Sequence, residues 1–159
     1  MKKLKMYAVI GSICMLFCFA ECEKTPGGFK RIAVYNNTNY NIDALLSYGV
    51  PLFPDTLLAD GRFYDKSGYF KPGLARYFGK ITTTYKDFIQ SYGSDTIIIF
   101  IFNADTLSKY TWDEVRADYK ILKRYDISWQ EMEATKGKIY YPPTEAMKDI
   151  KQWPPYGSD

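Results

Sequence analysis

An uninterrupted apolar run, IIIFIF, covers residues 97–102 and lies between polar segments. A short continuous apolar run bounded by turn residues is typical of a central strand that is buried on both faces. Other β-branched and aromatic stretches predict strands at 31–35, 40–48, 75–78, 121–127 and 138–141, with strand fragments at 62–64 and 68–71. Because an asparagine-rich turn at 36–39 separates the first two strands, we expect them to form a hairpin.

Two helix-start motifs occur in the second half, TWDE at 111–114 and SWQE at 128–131. In each motif a hydroxyl residue precedes a glutamate by three positions, which is the spacing of a capping box. The motifs predict helices near 112–119 and 129–135, and Gly137 is expected to end the second helix.

Helical periodicity also predicts short helices at 83–92 and 144–151. The total is about seven strands and three or four short helices in the C-terminal half. We therefore predict an α+β fold with a mostly antiparallel sheet, for which a small β-sandwich is one arrangement. A βαβ unit after residues 97–102 is the alternative, but its crossover helix would be short. One globular domain is expected over residues 30–152.

The first 21 residues have the pattern of an export signal. Three lysines at the start precede an apolar run over residues 7–20. This run is shorter than the roughly 20 apolar residues that a membrane-spanning helix needs. A basic start followed by a short apolar stretch predicts a signal peptide over residues 1–21.

Two routes of processing are open behind this segment. Cleavage after Ala20 would release a soluble secreted or periplasmic protein. The other route makes Cys22 the lipid-bearing first residue of an outer-membrane lipoprotein, facing the periplasm or the cell surface, with residues 22–29 as a flexible tether. Glu21 stands where such signals usually carry a small residue, but the position of Cys22 directly behind the apolar run favours lipid attachment there.

The charge balance changes once the signal is removed. The whole chain has 21 basic and 18 acidic residues, and residues 1–21 hold three of the lysines and one glutamate, so 18 and 17 remain. Nucleic-acid binding needs a concentrated cationic surface, and we therefore expect no nucleic-acid partner.

Histidine is absent, and all three cysteines lie within the first 22 residues. The missing imidazole excludes Ser-His and Cys-His nucleophile systems and histidine-bound zinc. The mature domain also has no cysteine for a disulfide or thiolate site. We predict no metal and no cofactor. The enzymatic alternative is a small secreted carboxylate-based hydrolase, because Glu114 and Asp118 would share one helix face.

Tyrosine is unusually frequent, at 15 of 159 residues. Many tyrosines belong in the core, but the surplus predicts an exposed aromatic face that would suit stacking on sugars or burial in a protein interface. The Pro-rich tail at 153–159 is a candidate interaction segment through Trp153 and Tyr156. The alternative is a tail that folds back onto the domain.

The C-terminal half also resembles a known group of proteins. The matching segments are DT at 95–96, NADTL at 103–107, KY at 109–110, Trp112, Arg116, Tyr119, ILKRYDIS at 121–128 and YYPPTE at 140–145. These segments resemble small uncharacterised cell-envelope lipoproteins of anaerobic Gram-negative gut bacteria, over roughly residues 30–159. The resemblance implies an envelope lipoprotein and supplies no catalytic residues.

A second resemblance concerns glycosylation. Proteins exported by such bacteria can carry glycans on a Ser or Thr that follows Asp and precedes an apolar residue, as at 55–57, 95–97 and 105–107. Thr56 and Thr106 lie in predicted loops and are the candidate O-glycosylation sites. Together, the sequence predicts an exported, lipid-anchored and monomeric protein that binds a protein or glycan partner without catalysis.

Overall fold

The computed structural model describes residues 28–48 and 68–158. Its strands are β1 (Lys30–Asn36), β2 (Ile42–Tyr48), β3 (Ala75–Ile81), β4 (Thr96–Asn103), β5 (Lys123–Ser128), β6 (Lys138–Tyr141) and β7 (Lys151–Trp153). Its helices are α1 (Tyr85–Gln90), α2 (Ala104–Lys109), α3 (Trp112–Ala117) and α4 (Trp129–Ala134), with a 3-10 helix at Glu145–Met147. No helix within these described ranges has the length and apolarity that crossing a bilayer requires.

The strands form two sheets. One has three strands in the order β3-β1-β6, with β1 antiparallel to β3 and parallel to β6. The other has four strands in the order β2-β4-β5-β7, all antiparallel. This architecture confirms the predicted α+β class with mostly antiparallel strands.

The inner faces of both sheets share one apolar core. Ile32 and Val34 of β1 belong to the same buried cluster as Ile99 and Ile101 of β4. The opposite face of β4 packs beneath α2 and α3 in a second cluster. The predicted burial of the 97–102 strand on both faces is therefore confirmed, and the four-stranded sheet carries a helical layer on its outside.

The predicted hairpin between the first two strands is wrong, because β1 and β2 lie in different sheets. Asn36 ends β1 and is fully buried. Its side-chain amide donates to the backbone carbonyls of Tyr40, at 2.8 Å, and Phe70, at 3.0 Å. The asparagine-rich segment therefore crosses from one sheet to the other, since β2 finds its partner in the apolar strand β4.

Both capping boxes are confirmed. The side chain of Thr111 accepts from the backbone N–H of Glu114, and that of Ser128 accepts from Glu131, while each glutamate returns the hydrogen bond to its cap. The helices are shorter than predicted, and the last one contracts to a single 3-10 turn ahead of β7. The predicted fragment at 62–64 lies outside the described residues, and Phe70 forms one isolated bridge to Ile42.

Candidate binding face on the three-stranded sheet

Strand alternation divides the residues of the three-stranded sheet between its two faces. Ile32 and Val34 point into the core. Ala33, between them, points outward and pairs with Tyr77 on one side and Lys138 on the other. Tyr35 likewise pairs with Tyr140. The aromatic residues of this outer surface are Phe29, Tyr35, Tyr77 and Tyr140, and its basic residues are Lys30, Arg31, Lys80, Lys136 and Lys138; we call this set the aromatic–cationic face.

A shallow groove of about 390 Å³ crosses the aromatic–cationic face. Ala33 and Gly137 lie among its lining residues, and the backbone N–H of Ala33 donates to the carbonyl of Gly137 at 2.8 Å. Because these two residues have little or no side chain, the surface is depressed between Tyr77 and Lys138.

The aromatic rings are partly open to solvent. The exposed fraction is 57% for Tyr77 and 38% for Phe29. Tyr35 stacks on Tyr140 with the ring centroids 4.9 Å apart and the planes inclined by 21°. Burial, followed by the neighbouring Tyr77 and Tyr140, raises the pKa of Tyr35, which therefore keeps its hydroxyl proton at neutral pH.

Two cations of the face, those of Arg31 and Lys80, lie over aromatic rings, and neither pairs with a carboxylate of the described residues. The guanidinium carbon of Arg31 lies 4.4 Å from the ring centroid of Phe29 and 5.7 Å from that of Tyr77. The ammonium of Lys80 lies 4.6 Å from the centroid of Phe29. Such cation–π contacts hold the charges in place without neutralising them.

The face has a strong excess of positive charge. Glu133 is the acidic residue at the groove, and it pairs with Lys30 at 2.6 Å. Within the described residues, no carboxylate pairs with the other four cations of the face. Five basic and one acidic side chains give a local charge of +4, which exceeds the +3 of the whole chain.

The C-terminus of α4 positions the rim of the groove. Lys136 and Gly137 both have positive φ, of 53° and 72°. The backbone N–H of Lys136 donates to Glu133 and that of Gly137 donates to Met132, which is the hydrogen-bond pattern of a Schellman motif. The chain then turns directly into β6, so Lys136 and Lys138 both reach the groove.

Gly137 has no room for a side chain. A Cβ atom at this position would lie 2.2 Å from the hydroxyl oxygen of Tyr85 and 2.3 Å from the backbone oxygen of Arg31. Tyr85 itself donates to that Arg31 oxygen at 2.9 Å. The close approach of α1, β1 and the end of α4 therefore depends on glycine.

Three of the predicted site residues, Thr106, Trp153 and Tyr156, lie in the described part of the chain, and none of them lines the groove. Cys22 and Thr56 lie outside the described residues. Thr106 was expected in a loop, but it is half-buried in α2, because the side chain of Asn103 caps that helix by accepting from the N–H of Asp105 at 2.7 Å.

The Pro-rich tail folds back onto the domain. Trp153 belongs to β7, pairs with Arg124, and packs its ring edge-on to Tyr119 at 5.3 Å. The hydroxyl of Tyr156 donates to Glu145 at 3.1 Å. The buried ammonium of Lys123 donates to the carbonyl of Pro154 at 3.0 Å. The tail is therefore packed against the domain, which is the second of the two arrangements considered for it.

The carboxylates considered for catalysis have structural contacts. Hydrogen bonds from the backbone and side chain of Thr111 lower the pKa of Glu114, as its capping position requires. Asp118 pairs with Lys120 at 2.8 Å.

A second cavity, of about 310 Å³, is lined by Asp43. This carboxylate pairs with Arg76 and accepts from the N–H of Ala44 at 2.7 Å.

Among residues 28–48 and 68–158, no group of three or more acidic, histidine or cysteine side chains is arranged to hold a metal ion. Comparisons of the chain with protein-family models, with curated proteins and with solved structures find no match. Among the described residues, the aromatic–cationic face combines exposed rings, excess positive charge and a groove, and it is the candidate functional site.

The positive charge of this face is not apparent in the amino-acid sequence. Its cations come from three separate segments, 30–31, 80 and 136–138, and no segment is basic enough to attract notice. The excess of tyrosine was the available signal, but it indicated only that an aromatic surface should exist and not where it lies.

Proposed function

We propose that this protein is an exported, lipid-anchored component of the cell envelope whose domain binds a partner through the aromatic–cationic face without catalysing a reaction. The signal-like N-terminus, the position of Cys22 and the resemblance to envelope lipoproteins support export and anchoring. The observation that carries the binding role is the clustering of exposed rings around one groove, together with four cations that pair with no carboxylate of the described residues.

Physical considerations favour binding at this face. Exposed aromatic side chains that cluster on one surface are typical of interaction sites. Arginine and tyrosine are also the residues most enriched where partners bind tightly. A general acid or base would need a pKa near neutrality, whereas the pKa of Tyr35 is raised further from it.

The anchoring part is tested by labelling cells with a radioactive lipid precursor. We expect the wild-type protein and the matched variant Cys18→Ser to incorporate label, and Cys22→Ser to lose it. Both cysteines lie close to the end of the apolar run, so the pair controls for general effects on export. Unchanged labelling of Cys22→Ser would overturn the anchoring proposal.

The binding part is tested by placing a photo-activated amino acid at Tyr77 in growing cells. The control position is Tyr69, whose exposed fraction of 54% matches the 57% of Tyr77. We expect ultraviolet light to give a discrete cross-linked product at position 77 and not at 69. If neither position cross-links, or both do so equally, the aromatic–cationic face is not the binding surface.

A further inference from the structure

We infer that the ligand of the aromatic–cationic face is an acidic glycan, an oligosaccharide that carries carboxylate or sulfate groups. This inference rests on the proposed function of the face and narrows its partner to one chemical class. It follows from the charge, the ring geometry and the size of the groove.

Charge complementarity selects an anion. Arg31 lies over the rings of Phe29 and Tyr77, and no carboxylate within the described residues pairs with it. Its guanidinium makes no hydrogen bond and no ion pair within the described residues, so its N–H groups remain for a ligand. Those N–H groups match the paired oxygens of a carboxylate or sulfate.

The aromatic residues select a ligand that also has apolar surface. The Tyr77 ring is more than half exposed beside the small Ala33, its partner on β1. A sugar ring presents C–H groups that pack on an aromatic face, together with hydroxyls that bond to tyrosine oxygens. A simple inorganic anion would use Arg31 and leave these rings without a partner.

The dimensions favour an oligosaccharide over a folded protein. The groove of about 390 Å³ falls in the range of 300–1,000 Å³ that is usual for small-ligand sites. The cations of the whole aromatic–cationic face come from all three strands, which span about 10 Å across the sheet. A stable protein interface covers about 800 Å² on each partner, far more than this groove offers.

Lys136 supports the same conclusion independently of the rings. It holds a left-handed backbone conformation, with φ of 53°, at the position of the Schellman motif where glycine is preferred. Lysine in this place adds to the rim of the groove an ammonium that pairs with no carboxylate among residues 28–48 and 68–158. Lysine at this position therefore costs backbone strain that glycine would avoid, and in return it enlarges the cationic surface.

The test measures binding of the full chain, purified in a non-ionic detergent, to immobilised heparin fragments as the sulfated glycan and to oligogalacturonate as the carboxylated one. Neutral dextran fragments are the reference. We expect at least one acidic glycan to bind ten-fold or more tightly than dextran, and to weaken as salt is raised because its charges are screened.

Substitutions in the aromatic–cationic face test whether glycans bind there. Arg31→Gln and Tyr77→Ala are each expected to weaken binding at least ten-fold, and Arg31→Lys to recover only part of the loss. The matched controls, Lys109→Gln and Tyr69→Ala, remove an exposed cation and an exposed ring elsewhere and should bind like the wild type. Circular dichroism of each variant confirms that it is folded.

Anionic lipid vesicles and single-stranded DNA separate a glycan site from a general polyanion surface. If either binds as tightly as the acidic glycans, or if dextran does, the acidic-glycan inference is overturned. A protein cross-linked through position 77 in cells would also overturn it while leaving the proposed binding face intact. If none of these ligands binds and no cross-link forms at position 77, the proposed function of the face is wrong.

Discussion

Replacing Gly137 with alanine should destabilise the domain far more than the same change at Gly93. The two glycines have nearly the same backbone conformation, with φ of 72° and 73°, and each follows a short helix. A Cβ atom at Gly93 meets nothing within 4 Å, whereas at Gly137 it collides with Tyr85 and with the backbone of Arg31. The pair therefore separates the cost of backbone strain from the cost of crowding.

The expected magnitudes follow from these contacts. Alanine in the left-handed region costs about 1–2 kcal/mol at either position. At Gly137 the hydroxyl of Tyr85 must also move away from the Arg31 oxygen, which forfeits a hydrogen bond worth about 1 kcal/mol. Overpacking against backbone adds about 1–3 kcal/mol. We expect a loss of about 4 kcal/mol for Gly137→Ala and about 1.5 kcal/mol for Gly93→Ala.

Urea denaturation followed by tryptophan fluorescence measures both losses. With a denaturant slope of about 2 kcal/mol per M, the two unfolding midpoints should differ by about 1 M. Equal midpoints for the two variants would show that the close approach of α1, β1 and α4 is not rigid, and the steric reasoning would be refuted.

Three further predictions concern single residues. Lys136→Gly should raise the free energy of unfolding by about 1 kcal/mol, because glycine relieves the left-handed backbone strain, and it should weaken glycan binding. Thermal denaturation measures the gain in stability, and an unchanged melting temperature would contradict the prediction. Asp43→Asn should lower the free energy of unfolding, measured in urea, by about 2–4 kcal/mol. The reason is that Arg76, whose side chain is only 28% exposed, loses the carboxylate that pairs with it between the two sheets. A loss below about 0.5 kcal/mol would show that the ion pair contributes little to stability. The pKa of Glu114 is lowered from 4.5, so its capping contribution is present above that pH and is lost as the pH falls through the folded-state pKa. The stability difference between wild type and Glu114→Gln, measured in urea at pH 7 and at pH 3, should therefore shrink at pH 3.

Features encoded by neighbouring residues could be predicted from the sequence. The apolar run at 97–102 identifies a central strand because it is short, consists of β-branched and aromatic residues, and is bounded by turn residues. The capping boxes are equally local, since donor and acceptor lie three residues apart. Helix α2 had a similar signal in Asn103, which follows the strand and caps the helix, although the segment was interpreted as a loop.

Features that depend on distant partners could not be predicted. Tyr40 follows an asparagine-rich turn, and local chemistry favours a hairpin there. The first strand instead pairs with β3 and β6, and the second with β4, and all of these partners lie far away in the sequence. The three residues of β7 carry no strand pattern of their own and are ordered by pairing with β5. The groove is likewise a product of register, since Ala33 becomes its floor only between Tyr77 and Lys138.

The parallel pairing of β1 with β6 has a consequence for the order of events during synthesis. β1 is the first strand of the described chain to be made and the middle strand of its sheet, yet one of its edges finds a partner only when residues 138–141 have been added. Contacts between such distant segments slow folding. Until β6 has been made, β1 exposes an unpaired strand edge to other chains, and such an edge promotes aggregation. Any product that ends before β6 lacks Lys138 and Tyr140 of the aromatic–cationic face, so the complete face arises only when translation of the domain is nearly finished.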